Sequence, residues 1–143
     1  MEDRFDLARF TRAQQAYNTY QTALREIRNG RKESHWMWYI FPQMRGLGMS
    51  STSEYYGIVS LEEAKAYLND PFLGDNLREI SQALLGLKED NAYRIFGSPD
   101  CLKLRSSMTL FAVAAGEGSV FHKVLDKFYG GAMDGMTLRL LGK

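Results

Sequence analysis

Apolar residues recur at intervals of three and four along most of the chain, the spacing of helices with one buried face. From Leu7 they fall at Phe10, Ala13, Tyr17, Tyr20, Leu24 and Ile27, while Gln14, Gln21, Arg25 and Arg28 lie off the centre of that stripe. One continuous helix closed by Gly30 is expected here. Seven large residues follow, His35 to Phe41, halted by Pro42. Ser34 as an N-cap and the stop at Pro42 favour a short buried helix over a strand. Residues 43–57 have no period and are rich in Gly and Ser, so a loop with one helical turn at Ser53 to Tyr56 is expected.

Start signals then punctuate the chain. Ser60 and Glu63 form a capping box whose helix ends near Asn69, and Asp70-Pro71 opens another with the stripe Leu73, Leu77, Ile80, Leu84 and Leu87. Asn91 to Phe96 reads as a short helix ended by Gly97. Ser98-Pro99-Asp100 repeats the proline start and leads to about Ala115. Ser119 begins a helix ending at Gly130-Gly131, and Asp134 begins the last. No two-residue alternation appears, and valine and isoleucine are sparse. The expectation is an all-α single domain spanning residues 1–143, with seven or eight helices in an irregular, orthogonal bundle.

Composition narrows the class. A chain of 143 residues with 45% apolar and 24% charged residues is neither disordered nor low-complexity. Eighteen basic and seventeen acidic residues leave +1, which makes no case for a nucleic-acid partner from the global field. The single cysteine, Cys101, has no internal partner, which fits a reducing, cytoplasmic setting. The opening MEDRFDLARF has no apolar stretch of a secretory leader, and no run approaches the ~20 residues of a membrane span.

Familiar chemistry is sparse. His35 and His122 form no ligand pair, Gly46-x-Gly48 lacks a third glycine and a preceding strand, and neither a Walker lysine nor a G-x-S-x-G elbow occurs. No metal or cofactor is expected. Cys101 reads either as a small buried hydrophobe or as a thiol activated at a helix start. Local charge says more: Arg25, Arg28, Arg31, Lys32 and Arg45 against Glu26 and Glu33 leave +3 around the densest aromatic segment. Basic groups among Trp36, Trp38 and Tyr39 suit phosphate contact and base stacking, or they are a solvated helix end beside core aromatics.

Residues 30–58 carry an order that a core alone does not need: two tryptophans, a histidine, Pro42-Gln43, then Gly46-Leu47-Gly48 and hydroxyls. With Phe10-x-x-Ala13-Gln14, Gly30-x-Lys32-x-Ser34-His35-Trp36-Met37-Trp38, Ile40-Phe41-Pro42-Gln43, Tyr56-Gly57-Ile58, Glu63-Ala64-x-x-Tyr67-Leu68, Ile95-Phe96-Gly97-x-x-Asp100, Lys103-Leu104 and Ser106-Ser107-Met108-Thr109-Leu110-Phe111, the sequence resembles the mainly bacterial family of domain of unknown function 1810. The resemblance implies a compact helical fold and no particular activity. The name calpastatin, sometimes attached to such sequences, does not suit it, because that inhibitor is a disordered repeat protein. A second, more distant similarity joins Tyr39-Ile40-Phe41-Pro42, a glycine turn and Ser53-Glu54-Tyr55-Tyr56 to the NADAR family, which acts on ADP-ribose-type N-glycosides. Tyr55 and Gly57 depart from that family's Glu-His-Tyr-Phe string.

Two classes of function are expected. In the first, Lys32, His35, Trp36, Trp38, Gln43, Gly46, Gly48, Ser50 and Tyr56, joined by Ser106 and Ser107 from a later helix, bind a nucleotide-like or ribose-containing molecule. If N-glycoside chemistry follows, Glu54 and His35 are the candidate catalytic groups. Glu54 also reads simply as a first-turn acid at a positive helix end. In the second class the chain is a non-catalytic protein-interaction module, with the tryptophans in the core.

Overall fold

The computed structural model describes residues 3–143. Ten α-helical segments carry the fold among these residues: α1 (Ala8–Gln15), α2 (Thr19–Arg28), α3 (Met37–Ile40), α4 (Ser51–Tyr56), α5 (Leu61–Asn69), α6 (Pro71–Leu85), α7 (Ala92–Phe96), α8 (Asp100–Ala115), α9 (Val120–Tyr129) and α10 (Gly135–Leu140). A lone parallel bridge between Met44 and Ile58 is the nearest approach to a sheet among them. The protein is all-α, an irregular bundle with more segments than seven or eight because the first stripe divides and the turn expected at Ser53 to Tyr56 forms as the separate helix α4.

Side-chain caps start most of these helices. Ser60 accepts the Glu63 N–H at 3.1 Å, Asp70 accepts those of Phe72 and Leu73 at 3.0 Å, and Ser119 accepts that of His122 at 3.3 Å. Asn91 and Asp134 act alike. Two expected caps differ. Ser98 makes no cap, and α8 begins after Pro99 with Asp100 in its first turn. Ser34 is drawn away by Glu26, so α3 begins only at Met37.

The expected continuous first helix is broken. Tyr17 and Asn18 hold left-handed backbone (φ 54° and 56°), and Tyr17 stands fully in solvent instead of lying on the buried stripe. The break turns α1 relative to α2 and brings Gln14 inside. Its amide donates to the Tyr39 carbonyl at 2.8 Å and the Tyr67 hydroxyl at 3.1 Å, and its oxygen accepts from Asn76 at 3.0 Å. Those bonds explain why a polar residue replaces an aromatic in the interior.

Helix α8 runs through the centre, packed on α5, α7, α9 and α10, and is buried on most sides. An aromatic chain, Phe10–Tyr67–Phe111–Phe121, crosses the core with ring centroids 5.1, 5.2 and 5.8 Å apart. Beside it Trp36, Phe41 and Phe96 form a triangle with spacings of 6.0 to 6.5 Å. Buried Arg9 ties the loop region to this core. Its guanidinium donates to Glu63 at 2.8 Å, to the Tyr55 and Gly57 carbonyls at 2.8 and 3.1 Å, and to those of Phe5 and Asp6. Glu63 in turn accepts the Val59 N–H at 2.9 Å. Together with the Ile58 N–H on the Gln43 carbonyl, these bonds fix the segment 43–58 despite its lack of period.

Candidate functional site

The aromatic string splits into an inner and an outer half. Trp36 is fully enclosed, and its indole N–H donates to Glu26 Oε1 at 2.9 Å. The same carboxylate, only 4% exposed, accepts the Glu33 and Ser34 N–H groups at 2.8 and 2.9 Å and the Ser34 hydroxyl at 2.5 Å. Burial by itself would raise the Glu26 carboxyl. The bonds from Ser34, Glu33 and Trp36 outweigh it and hold the group below its ordinary value. Lys32 is also turned inward: its ammonium pairs with Asp100 at 3.0 Å, donates to the Ser34 carbonyl at 2.5 Å and lies 5.0 Å from the Trp36 ring centroid. Glu26, Lys32 and Trp36 thus hold the string onto α2 and α8.

The outer half faces a cleft. Met37, Trp38, Phe41, Gln43, Ser53, Tyr56, Gly57 and Lys103 line it. Counted to its open mouth it encloses about 260 Å³, but only about 10 Å³ is wide enough for water to occupy, the room of roughly one molecule. The Lys103 ammonium sits 5.5 Å from the Trp38 ring centroid. It is paired only loosely, 3.7 Å from Asp100, because that carboxylate lies closer to Lys32. Burial, with Tyr55 adding to it, raises the Tyr56 phenol, so this group faces the cleft as a neutral donor. A cation over a partly exposed indole, a carboxamide and hydroxyls can hold a planar group bearing negative charge.

Two glycines shape the wall. A Cβ on Gly48 would meet Ser53 Oγ at 2.4 Å, and one on Gly57 would meet the Arg45 Cα at 2.7 Å. Ser50 caps α4 by accepting the Ser53 N–H at 3.1 Å and lies 2.9 Å from the Ser53 hydroxyl. Gly48, Gly57 and Ser50 therefore act through Ser53 and Arg45. Gly46 is exposed and has left-handed backbone (φ 107°).

Of the residues singled out from sequence, Trp38, Gln43 and Tyr56 line the cleft. His35 is exposed, and its carbonyl accepts weakly from the Tyr39 hydroxyl at 3.5 Å. Glu54 is exposed on α4 and is not among the residues that line the cleft. Ser106 is buried and bonded to the Leu102 carbonyl at 3.3 Å. Ser107 is buried one turn beyond Lys103 on α8. Lys103, Met37, Phe41, Ser53 and Gly57 were missed as lining residues. Each of them stands in a string that carries one of the two family resemblances, but none as a binding residue. Cys101 packs against the core, and its carbonyl accepts from the Tyr129 hydroxyl. No group of three potential metal ligands occurs among the described residues. No helix among them is long and apolar enough to cross a membrane.

The model of a family described as "Protein of unknown function (DUF1810)" matches residues 4–141. The chain belongs to the DUF1810 family. Among solved structures, this DUF1810 chain is similar to the conserved hypothetical protein Rv1873 from Mycobacterium tuberculosis, known from a crystal structure at 1.38 Å. The two share 48% sequence identity over 99% of each chain, with a TM-score of 0.94. No curated protein matches the chain. The DUF1810 domain is thus a folded helical unit, unlike a calpastatin.

Proposed function

We propose that this DUF1810 domain binds a small nucleotide-like or ribose-containing molecule at the Trp38 cleft, in the cytoplasm. The observation that carries the reading is the Lys103 ammonium over Trp38, beside the Gln43 carboxamide. The planar part of the ligand lies along Trp38, the anionic part meets Lys103, and Gln43 reads a polar edge. Lys32 does not serve the phosphate, since Asp100 already neutralises it inside the protein. The cleft holds no carboxylate among its lining residues, and Glu54 stands in solvent, so binding is favoured over N-glycoside hydrolysis here.

A thermal-shift panel of nucleotides and ribose phosphates tests this. At one hundred times its dissociation constant a true ligand stabilises the fold by about 2.7 kcal/mol. The shift should vanish in Trp38→Leu and Lys103→Gln. A panel without any shift, or a shift that survives both substitutions, would remove the Trp38 cleft as the site.

A further inference from the structure

Ser107 is fully buried, and its hydroxyl is the one enclosed side-chain oxygen among the described residues with no hydrogen-bond partner. Its neighbours on α8 avoid that state: Ser106 donates to the Leu102 carbonyl, and Thr109 donates to that of Arg105 at 2.8 Å. An enclosed hydroxyl with no partner bears its desolvation penalty uncompensated, and such a group calls for an explanation.

Its position supplies one. Asp100, Lys103 and Ser107 recur at three and four residues, so they share one face of α8. The first two fix what that face meets: Asp100 pairs with Lys32, and Lys103 lies over Trp38. Helical side chains lean towards the N-terminus, so the Ser107 hydroxyl leans back towards the turn that carries Lys103. Met37, an unbranched and adaptable side chain, is part of the cleft lining on the facing segment.

We infer that Ser107 is the inner recognition residue of the Trp38 site, reached when a ligand displaces Met37, and that the group it reads belongs to a single-ring base. This rests on the nucleotide reading above. The size argument is direct: the cleft as it stands has room for roughly one water molecule, far below the roughly 300–1,000 Å³ of ligand pockets, so a ligand must displace its lining and one ring requires less displacement than two. The chemical argument is complementarity. A serine hydroxyl and a glutamine carboxamide each donate and accept, which suits the alternating donor and acceptor edge of a uracil-type ring. The class of ligand is a pyrimidine nucleoside phosphate, its phosphate on Lys103.

Calorimetric titration of UMP and AMP into the wild type, Ser107→Ala and Lys103→Gln, with a melting curve of each free protein, tests the assignment. The wild type should bind UMP about tenfold tighter than AMP, and Ser107→Ala should weaken UMP by about tenfold, the loss of one hydrogen bond. Free Ser107→Ala should melt no lower than the wild type, since it removes an unpaired group. Lys103→Gln should weaken both nucleotides. Equal UMP affinity in wild type and Ser107→Ala overturns the role of Ser107 and leaves the Trp38 site standing, as does a lower melting point with unchanged affinity. Equal affinity of the wild type for UMP and AMP overturns the single-ring selection. Failure of the wild type to bind either nucleotide overturns this inference, and the absence of any shift in the wider panel separates that from failure of the site itself.

Discussion

Trp36 and Trp38 stand two residues apart in one string, yet their surroundings differ in kind. Trp36 has its ring within the Phe41–Phe96 triangle and its N–H on Glu26. Trp38 has one loosely paired lysine over its ring and a narrow cleft beside it. The first environment is closed: both carboxylate oxygens of Glu26 are engaged by groups of the chain itself. The second keeps unused capacity on Lys103. The contrast shows that an unusual aromatic string need not have one purpose. Its inner half anchors the segment, and that rigidity lets its outer half present a side chain to solvent at a fixed place.

Breaking the inner half should have the largest effect. Trp36→Ala should cost about 3–5 kcal/mol in urea unfolding, the usual cost of emptying an aromatic core site. A cost below about 1 kcal/mol would show that Trp36 is not an anchor. Gly57→Ala comes next, at about 1–3 kcal/mol, because its Cβ would press on the Arg45 backbone and the cleft wall must shift. Wild-type unfolding followed against pH sharpens the role of Glu26. Its folded value is lowered from the ordinary 4.5, so its contribution is present above that value and lost as pH falls through the lowered one. Glu26→Gln should reduce the acid-side loss, and an unchanged profile would show that the carboxylate titrates elsewhere. Trp38→Ala should change stability least, by about 1 kcal/mol or less, while abolishing the nucleotide-induced thermal shift.

Much of the fold was legible because its signals are local. Ser60, Asp70 and Ser119 cap helices where their spacing to the apolar stripe says they should. The break at Tyr17 was not legible, since it keeps the three-four spacing intact and only the buried bonds of Gln14 reveal the rotation. The site was legible in part. Trp38, Gln43 and Tyr56 belong to the segment 30–58, whose order a core alone does not need, and they line the cleft. Lys32 did not stay free because Asp100, 68 residues later, reaches it; no pattern near Lys32 announces that partner. Lys103 lies on a helix whose apolar residues surround it, so periodicity gives that helix no functional face, and Ser107 on the same helix was singled out only through the string Ser106 to Phe111.

The division between the two tryptophans is tested most directly by fluorine NMR of the protein labelled with 5-fluorotryptophan. Two resonances are expected, assigned by the loss of one in Trp38→Phe. On addition of UMP the Trp38 resonance should move while the Trp36 resonance holds its position. Movement of Trp36 with Trp38 unchanged, or of neither, would contradict the account.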